Sequence, residues 1–369
     1  MSYKIHMDGY EAPRTIFQID ALHAWQHDRY FAPVIVEVSP TGSCNQNCSF
    51  CYSDKVDTKG QRIDDEVLIG LFRELPRIGV KAVSLQGTGE PLMHPATPDA
   101  IVAGAEGGLG FSLTTTGVVL TPKIQKKILR HLTFVKFSVL DSNKTRYAMM
   151  HGCSEKQWEQ LVRNIADAAE LREREGLDVA LLGTVYVERN NFNQIARIVG
   201  FLRELGMDYV VVQEATYTEF TPGRQANNTS TGYSEAQIAE MKQSVAELNS
   251  EDFTVKVRFP IDDTTYHVGV YKDCWKDRFC QGIKFFPVVA ADGRVYSCYR
   301  AWGKPEFALG SLYEQSFEEI WRGARRREIE EVIMTTPPDG DECAVCGISK
   351  LNDILARYGD DNRFRNFLI

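Results

Sequence analysis

Three cysteines, Cys44, Cys48 and Cys51, stand in the run SPTGSCNQNCSFCYSD with three and two residues between them. Spacings of four and three let one short loop wrap three thiolates around one face of an iron–sulfur cubane. A 4Fe–4S cluster has four irons, so three protein ligands leave one iron open for a small molecule. A zinc knuckle would need a fourth nearby ligand, which the run lacks, and a chance grouping is the other alternative. Phe50 places an aromatic directly before the last cysteine.

Four further cysteines, Cys280, Cys298, Cys343 and Cys346, make a second pattern. Twelve residues lie between Cys280 and Gly293 and four between Gly293 and Cys298, and the glycine allows a hairpin turn that folds one thiolate back toward the other. Cys343-x2-Cys346 brings a two-pronged clamp from far along the chain. Four thiolates can enclose a 4Fe–4S cluster completely, and the same four could hold a structural zinc.

Alternating strand-like and helix-like segments must position these residues. The strand Val34–Val38 runs into the first cysteine loop, where Gly42, Asn45 and Asn47 are loop formers. A helix over Asp65–Ile78 carries Leu68, Leu71, Phe72 and Leu75 on one face. Strands follow at Ala82–Leu85 and Gly110–Leu113, then a helix opened by Thr121 as cap and Pro122 in its first turn. Phe134–Val139 is the fourth strand, and Ser154-x-x-Gln157 has the form of a capping box for the helix carrying Trp158, Leu161 and Ile165. Val179–Val187, a helix that stops at Gly206, and Tyr209–Gln213 complete the series. A loop of about 20 residues and a second capping box, Ser234-x-x-Gln237, come next. Six strand–helix pairs in succession predict an α/β fold with a parallel sheet and outer helices, whose active site collects at the strands' C-terminal ends.

Beyond about residue 260 the pattern changes to a hairpin, Phe285–Ala290 and Arg294–Tyr299, around Ala291-Asp292-Gly293. A short helix capped by Ser316-x-x-Glu319 and a charged helical remainder follow. The expected division is a 1–30 extension, a 31–260 core, a small 261–350 domain and a 351–369 C-terminal helix.

The 369 residues fit one large domain, or a large and a small one, and 43% apolar content is ample for a core. A net charge of −8, from 42 basic and 50 acidic residues without a basic block, argues against nucleic-acid binding. No apolar run approaches the ~20 residues that cross a bilayer, and the N-terminus does not read as a signal peptide. A cytoplasmic protein is expected, in which nine cysteines serve as metal ligands or reactive thiols before disulfides.

With these residues in view, the chain resembles the radical S-adenosylmethionine (SAM) superfamily over about residues 30–350. The resemblance implies a partial (β/α)6 TIM-like barrel in which Cys44, Cys48 and Cys51 hold a 4Fe–4S cluster. Its open iron chelates SAM, and reductive cleavage yields a 5′-deoxyadenosyl radical that removes a substrate hydrogen. The segment Gln86-Gly87-Thr88-Gly89-Glu90-Pro91 resembles the family's Gly-Gly-Glu-Pro element, with Thr88 in place of the first glycine, and this assigns Gly89 and Glu90 to the SAM amino group. The run KFSVLDSNKTRYAMMHG resembles a Ser-x-Asp element, with Asp141 one residue late. Only Ser138 is carried over, to the SAM carboxylate or ribose. Thr116 in TTTG is a similar candidate, and Tyr52 matches a position whose backbone meets the adenine.

The second cysteine set resembles the twitch domain, a shortened SPASM domain with one auxiliary 4Fe–4S cluster. By that resemblance Cys274, six residues before Cys280, is a further cluster ligand, a hydrogen-atom donor as in the family's epimerases, or an inert thiol. Cys153, after His151-Gly152, reads as structural. Within the family the chain resembles the 2-deoxy-scyllo-inosamine dehydrogenase of butirosin biosynthesis and the aminoglycoside epimerases. That resemblance implies oxidation of a carbinol in a carbohydrate or cyclitol, with a flavodoxin or ferredoxin-type electron donor. Peptide modification is the competing class, against which stands a lead of only about thirty residues before the first strand, short of a ~80-residue peptide-recognition domain. An iron–sulfur electron carrier is the non-catalytic alternative, and the SAM-site residues oppose it. Arg258, Gln213, Glu214, Arg300 and Tyr299 are candidates for the barrel mouth.

Overall fold

The structure, a computed structural model, describes residues 18–51, 58–214, 233–259, 280–335, 348, 351–352 and 355. Helix α1 (Ile19–Gln26) precedes strand β1 (Ile35–Val38). Then come α2 (Asp65–Ile78), β2 (Ala82–Leu85), α3 (Thr97–Glu106), β3 (Gly110–Thr115), α4 (Pro122–Ile128), β4 (Leu132–Ser138), α5 (Lys144–Met150), α6 (Glu155–Glu175), β5 (Ala180–Val187), α7 (Ile195–Glu204), β6 (Tyr209–Glu214), α8 (Glu235–Ala246) and β7 (Thr254–Arg258). The C-terminal part adds β8 (Val288–Val289), β9 (Arg294–Tyr296), β10 (Ala308–Ser311), α9 (Phe317–Arg322) and α10 (Ala324–Thr335).

Among the described residues all ten strands belong to one open sheet, ordered β10-β9-β8-β1-β2-β3-β4-β5-β6-β7. Strands β1 to β7 are parallel neighbours, as successive strand–helix units require. The partial, unclosed α/β barrel is therefore present, with β7 as a parallel strand beyond the six read from sequence. The hairpin does not stand apart from it. Strand β8 pairs parallel to β1, aligning Glu37 with Val288, and β9 and β10 continue the same sheet antiparallel.

Alternation along the parallel strands separates two surfaces. Val36 and Val38 of β1, and Val135 and Phe137 of β4, are fully buried under the helices. The intervening Glu37, Lys136 and Ser138 face inward. Lower in the barrel, Phe134, Ala180, Leu182, Tyr209 and Val211 close an apolar cluster of their own. Helix α2 buries the face expected of it and ends at Gly79, whose φ of 104° supplies the left-handed cap.

Two capping boxes form, at Ser234/Gln237 and Ser316/Glu319. The one expected at Ser154/Gln157 does not, because Gln157 Nε2 reaches instead to the backbone carbonyl of Asn45 in the cysteine loop, 3.1 Å away. Thr121 stands at the N-cap of α4 without a side-chain cap bond. Of the proposed C-terminal helix, only residues 351, 352 and 355 are described.

Helix α9 is moored to the barrel by Glu74 of α2, whose carboxylate accepts from Phe317 N (3.2 Å) and Glu318 N (2.8 Å) at the helix N-terminus. Trp321, fully buried, donates from Nε1 to the Phe31 carbonyl at 3.0 Å. Replacing Glu74 by Ala leaves two helix-start amides without their anion and is expected to cost about 1–2 kcal/mol in urea unfolding of the metal-free protein. Glu74→Gln should retain part of this, and wild-type stability in both variants would dismiss the mooring.

Candidate active site

A cavity of about 340 Å³ opens at the C-terminal edge of the parallel strands. Cys44, Cys48, Cys51, Gly89, Glu90, Thr116 and Ser138, which sequence reasoning placed around one ligand, all line it. Tyr52, Cys274, Cys343 and Cys346 lie outside the described residues. Cys280 and Cys298 are buried, at the start of the 3-10 turn Gln281–Lys284 and just after β9.

The cysteine loop has no regular structure, and its polar backbone is satisfied by the ends of other elements. The final carbonyls of α5 are the first support: Asn47 N donates to His151 O and Ser49 N to Met150 O, each at 3.0 Å. Gly152 makes that approach feasible. Its φ is 55°, and a Cβ there would lie 2.1 Å from the Asn47 carbonyl oxygen. Gln46, buried in the loop, donates from Nε2 to Tyr147 Oη at 2.9 Å and accepts at Oε1 from His151 Nδ1 at 2.8 Å. Cys153 Sγ lies 3.9 Å from Gln46 Nε2, within the same packing.

The second support is Glu90. Its backbone N–H donates to Ser43 O at 2.9 Å. Its carboxylate accepts from Leu92 N (3.1 Å), Thr115 Oγ1 (2.8 Å) and Thr116 N (2.6 Å). Burial pushes this carboxyl up, against the opposing pull of those donors. Glu90 thus locks the ends of β2 and β3 together beneath the loop. Gly89 touches it from below: a Cβ there would fall 2.4 Å from both the Thr41 and Ser43 carbonyl oxygens. Thr116 Oγ1 completes the tie by donating to Asn45 Oδ1 at 3.1 Å. Asp141 turns away to a structural task, accepting from Arg146 Nε (2.6 Å) and Nη2 (2.8 Å) at the start of α5.

The thiols fit a cubane. Burial pushes Cys44 up to about 11 and Cys48 well above the ordinary thiol range, with the neighbouring cysteines adding to both. Thiols so placed need a bound cation to lose their protons. Among the described residues no three His, Cys, Asp or Glu side chains converge closely enough to share one metal ion. Three thiols lining one cavity suit a cluster with a different iron for each thiolate. At the second cysteine set, Asn352 Nδ2 donates to Cys280 Sγ at 3.3 Å while its Oδ1 accepts from Gly282 N at 2.7 Å.

Sequence reasoning missed the cavity floor. Glu37 Oε2 accepts from Gln86 Nε2 at 2.6 Å. Burial raises the Glu37 carboxyl and lowers the Lys136 ammonium, and each charge offsets part of the other's shift. Arg258, opposite Gln213 in the β6–β7 register, adds to the lowering at Lys136. The available signal was a charged residue between apolar ones, as in Val36-Glu37-Val38, in a strand that helices and barrel interior both cover. Of the five mouth candidates only Tyr299 lines the cavity, joined by Trp302.

Comparison with known proteins agrees with this geometry. The radical SAM superfamily profile matches residues 38–202, and that of an iron–sulfur cluster-binding SPASM domain matches residues 280–347. The chain is 25% identical over 296 residues to the PqqA peptide cyclase of Gluconobacter oxydans, covering 78% of this chain and 76% of the relative. It is 25% identical over 339 residues to the GTP 3′,8-cyclase of Campylobacter fetus, covering 90% and 91%. Streptococcus suis SuiB bound to S-adenosylmethionine has the same fold, with TM-score 0.64 and 15% identity over 90% of this chain and 75% of that one. The two domains bring with them a SAM-binding 4Fe–4S cluster and auxiliary iron–sulfur. Neither cyclase supports the expected resemblance to a carbohydrate dehydrogenase. No helix among the described residues is long and apolar enough to cross a membrane.

Anaerobic reconstitution is expected to load about eight irons and eight sulfides per chain, four of each per cubane. Changing Cys44, Cys48 and Cys51 together to Ala should leave about half and abolish SAM cleavage. Zinc in place of the second iron set would refute the auxiliary cluster. Glu90→Ala frees three donors beneath the loop and should weaken SAM binding by about tenfold or more, with iron content unchanged. Wild-type affinity by equilibrium binding would remove Glu90 from the site.

Proposed function

From the premise that this chain carries a radical SAM domain followed by an iron–sulfur SPASM domain, we propose that it is a radical SAM oxidoreductase acting on a small, hydroxyl- or amine-bearing substrate, a carbohydrate or cyclitol by class. The observation that carries this reading is the charged floor of Glu37, Gln86 and Lys136 in the cavity that the three cysteines line. Such a floor suits a ligand with several hydrogen-bonding groups.

In this reading Cys44, Cys48 and Cys51 hold the SAM-binding cluster, and Cys280, Cys298, Cys343 and Cys346 hold the auxiliary one. Bound at the first cluster, SAM would supply, on one-electron reduction by a flavodoxin or ferredoxin-type donor, the hydrogen-abstracting chemistry of a 5′-deoxyadenosyl radical. Gly89 and the neighbouring backbone orient the SAM amino group, and Ser138 its carboxylate or ribose. Thr116 and Tyr52 flank the nucleoside. Lys136 and Gln86 orient the substrate on the floor. The Glu37 carboxylate, its affinity for a proton raised by burial, takes the proton of the carbinol hydroxyl as the carbonyl forms, and the auxiliary cluster would accept the remaining electron of the substrate radical. Tyr299 and Trp302 cover the mouth and keep water from the substrate radical.

A second reading, modification of a peptide, is favoured by the relatives. One is named a peptide cyclase, and one solved structure of similar fold, at TM-score 0.64, is SuiB bound to precursor peptide SuiA.

The test is an anaerobic assay with SAM and dithionite in deuterated water, run against aminocyclitols, hydroxy sugars and peptides. Oxidation gives substrate-dependent 5′-deoxyadenosine and a product two hydrogens lighter without carbon-bound deuterium. An isomer carrying one deuterium, lost in Cys274→Ala, would make the enzyme an epimerase instead. Turnover of peptides alone would overturn the small-molecule reading.

A further inference from the structure

Cys48 has a neighbour that the proposed chemistry leaves unused. His151, fully buried just beyond α5, places Nδ1 3.5 Å from Cys48 Sγ. The same Nδ1 is 2.8 Å from Gln46 Oε1. Gln46 is oriented by its other end, where Nε2 donates to Tyr147 Oη at 2.9 Å, so Oε1 is the acceptor and Nδ1 carries the hydrogen. Nε2 of the ring has no partner among the described residues. All of the imidazole's hydrogen bonding is therefore at the edge that faces the cysteine loop.

The ring is fixed in that pose. It stacks on Tyr147 with centroids 3.9 Å apart, meets Phe50 edge-on at 5.3 Å, and its own carbonyl accepts from Asn47 N. As a free thiol Cys48 can donate to Gln46 Oε1, 3.8 Å away. As a thiolate on iron it has no hydrogen to give and becomes an acceptor. Nδ1–H of His151 is then a donor already poised between the Gln46 oxygen and the cluster sulfur.

We infer that His151 tunes the SAM-binding cluster by donating a hydrogen bond from Nδ1 to the Cys48 sulfur, which stabilises the reduced, more negative cluster and raises its reduction potential. Gln46 opposes it by sharing the same hydrogen. His151 is a positioning residue, acting on the cluster through its ligand rather than on SAM or substrate. The inference rests on the reading of Cys44, Cys48 and Cys51 as cluster ligands.

The test is a redox titration of the reconstituted full chain, followed by electron paramagnetic resonance. The signal that changes on adding SAM reports this cluster, and the SAM-insensitive auxiliary signal is the internal control. His151→Phe keeps the aromatic packing and loses the N–H. It should retain iron, lower the midpoint potential of the SAM-responsive signal and leave the control where it was. His151→Asn, which restores an N–H donor, should recover part of the shift. Gln46→Met should move the potential the other way, by releasing the shared hydrogen to sulfur. Unchanged potentials in the loaded variants would overturn the inference. If His151→Phe does not load iron, Gln46→Met decides alone, a rise supporting the inference and no change refuting it. Failure of both to load would assign the network to loop architecture and also overturn it. Absence of any SAM-responsive signal in the wild-type protein would instead refute the ligand reading itself.

Discussion

A loop with no repeating hydrogen bonds must hold three thiols at fixed positions, and the remainder of the site is arranged around that constraint. Other elements supply what the loop lacks. The last carbonyls of α5 take its amides, and the Ser43 carbonyl takes the Glu90 N–H. The Glu90 carboxylate collects donors from the ends of two strands directly beneath it. Burying a carboxylate is costly unless its lone pairs are filled. At Glu90 they are filled in part by Thr115 and Thr116, which themselves line the cavity. Removing Glu90 therefore acts on the shape of the site before it acts on any ligand.

Much of this was readable in the chain, for identifiable reasons. The cysteine spacing survives translation into structure because it depends only on how far a short loop reaches. The bounds of α2 match their amphipathic pattern because Leu68, Leu71, Phe72 and Leu75 all find the core and Gly79 stops the helix. The failures share another cause. Gln157 was assigned a local capping partner, but a long-range acceptor, the Asn45 carbonyl, won it. Glu37 and Lys136 have the alternating form of surface residues. Only the curvature of the sheet, which brings β1 and β4 around one cavity, turns them into its floor. His151 sits in a run read for Ser138 and Asp141, and nothing local links it to Cys48, 103 residues away.

The hairpin carries the same lesson at larger scale. As a sequence it is two short strands around a glycine turn. In the fold it prolongs the barrel sheet from the β1 edge, the strand that launches the cysteine loop. Val38 of β1 aligns with Val289 of β8, so the two cysteine regions are referenced to one rigid sheet rather than to a flexible linker. Tyr299 and Trp302, which follow Cys298, reach the cavity from that side. The cavity and the region of Cys280 and Cys298 thus share a frame, as the proposed oxidation through a second cluster would require.

The central claim is that the iron left open by Cys44, Cys48 and Cys51 takes the amino and carboxylate groups of SAM in this cavity. Electron–nuclear double resonance on the reduced enzyme tests it most directly, with SAM labelled by ¹⁵N at the amino group or by ¹⁷O at the carboxylate. The account predicts hyperfine coupling from both labels to the SAM-responsive cluster, lost when the three cysteines are replaced. Tight SAM binding without coupling from either label would contradict it.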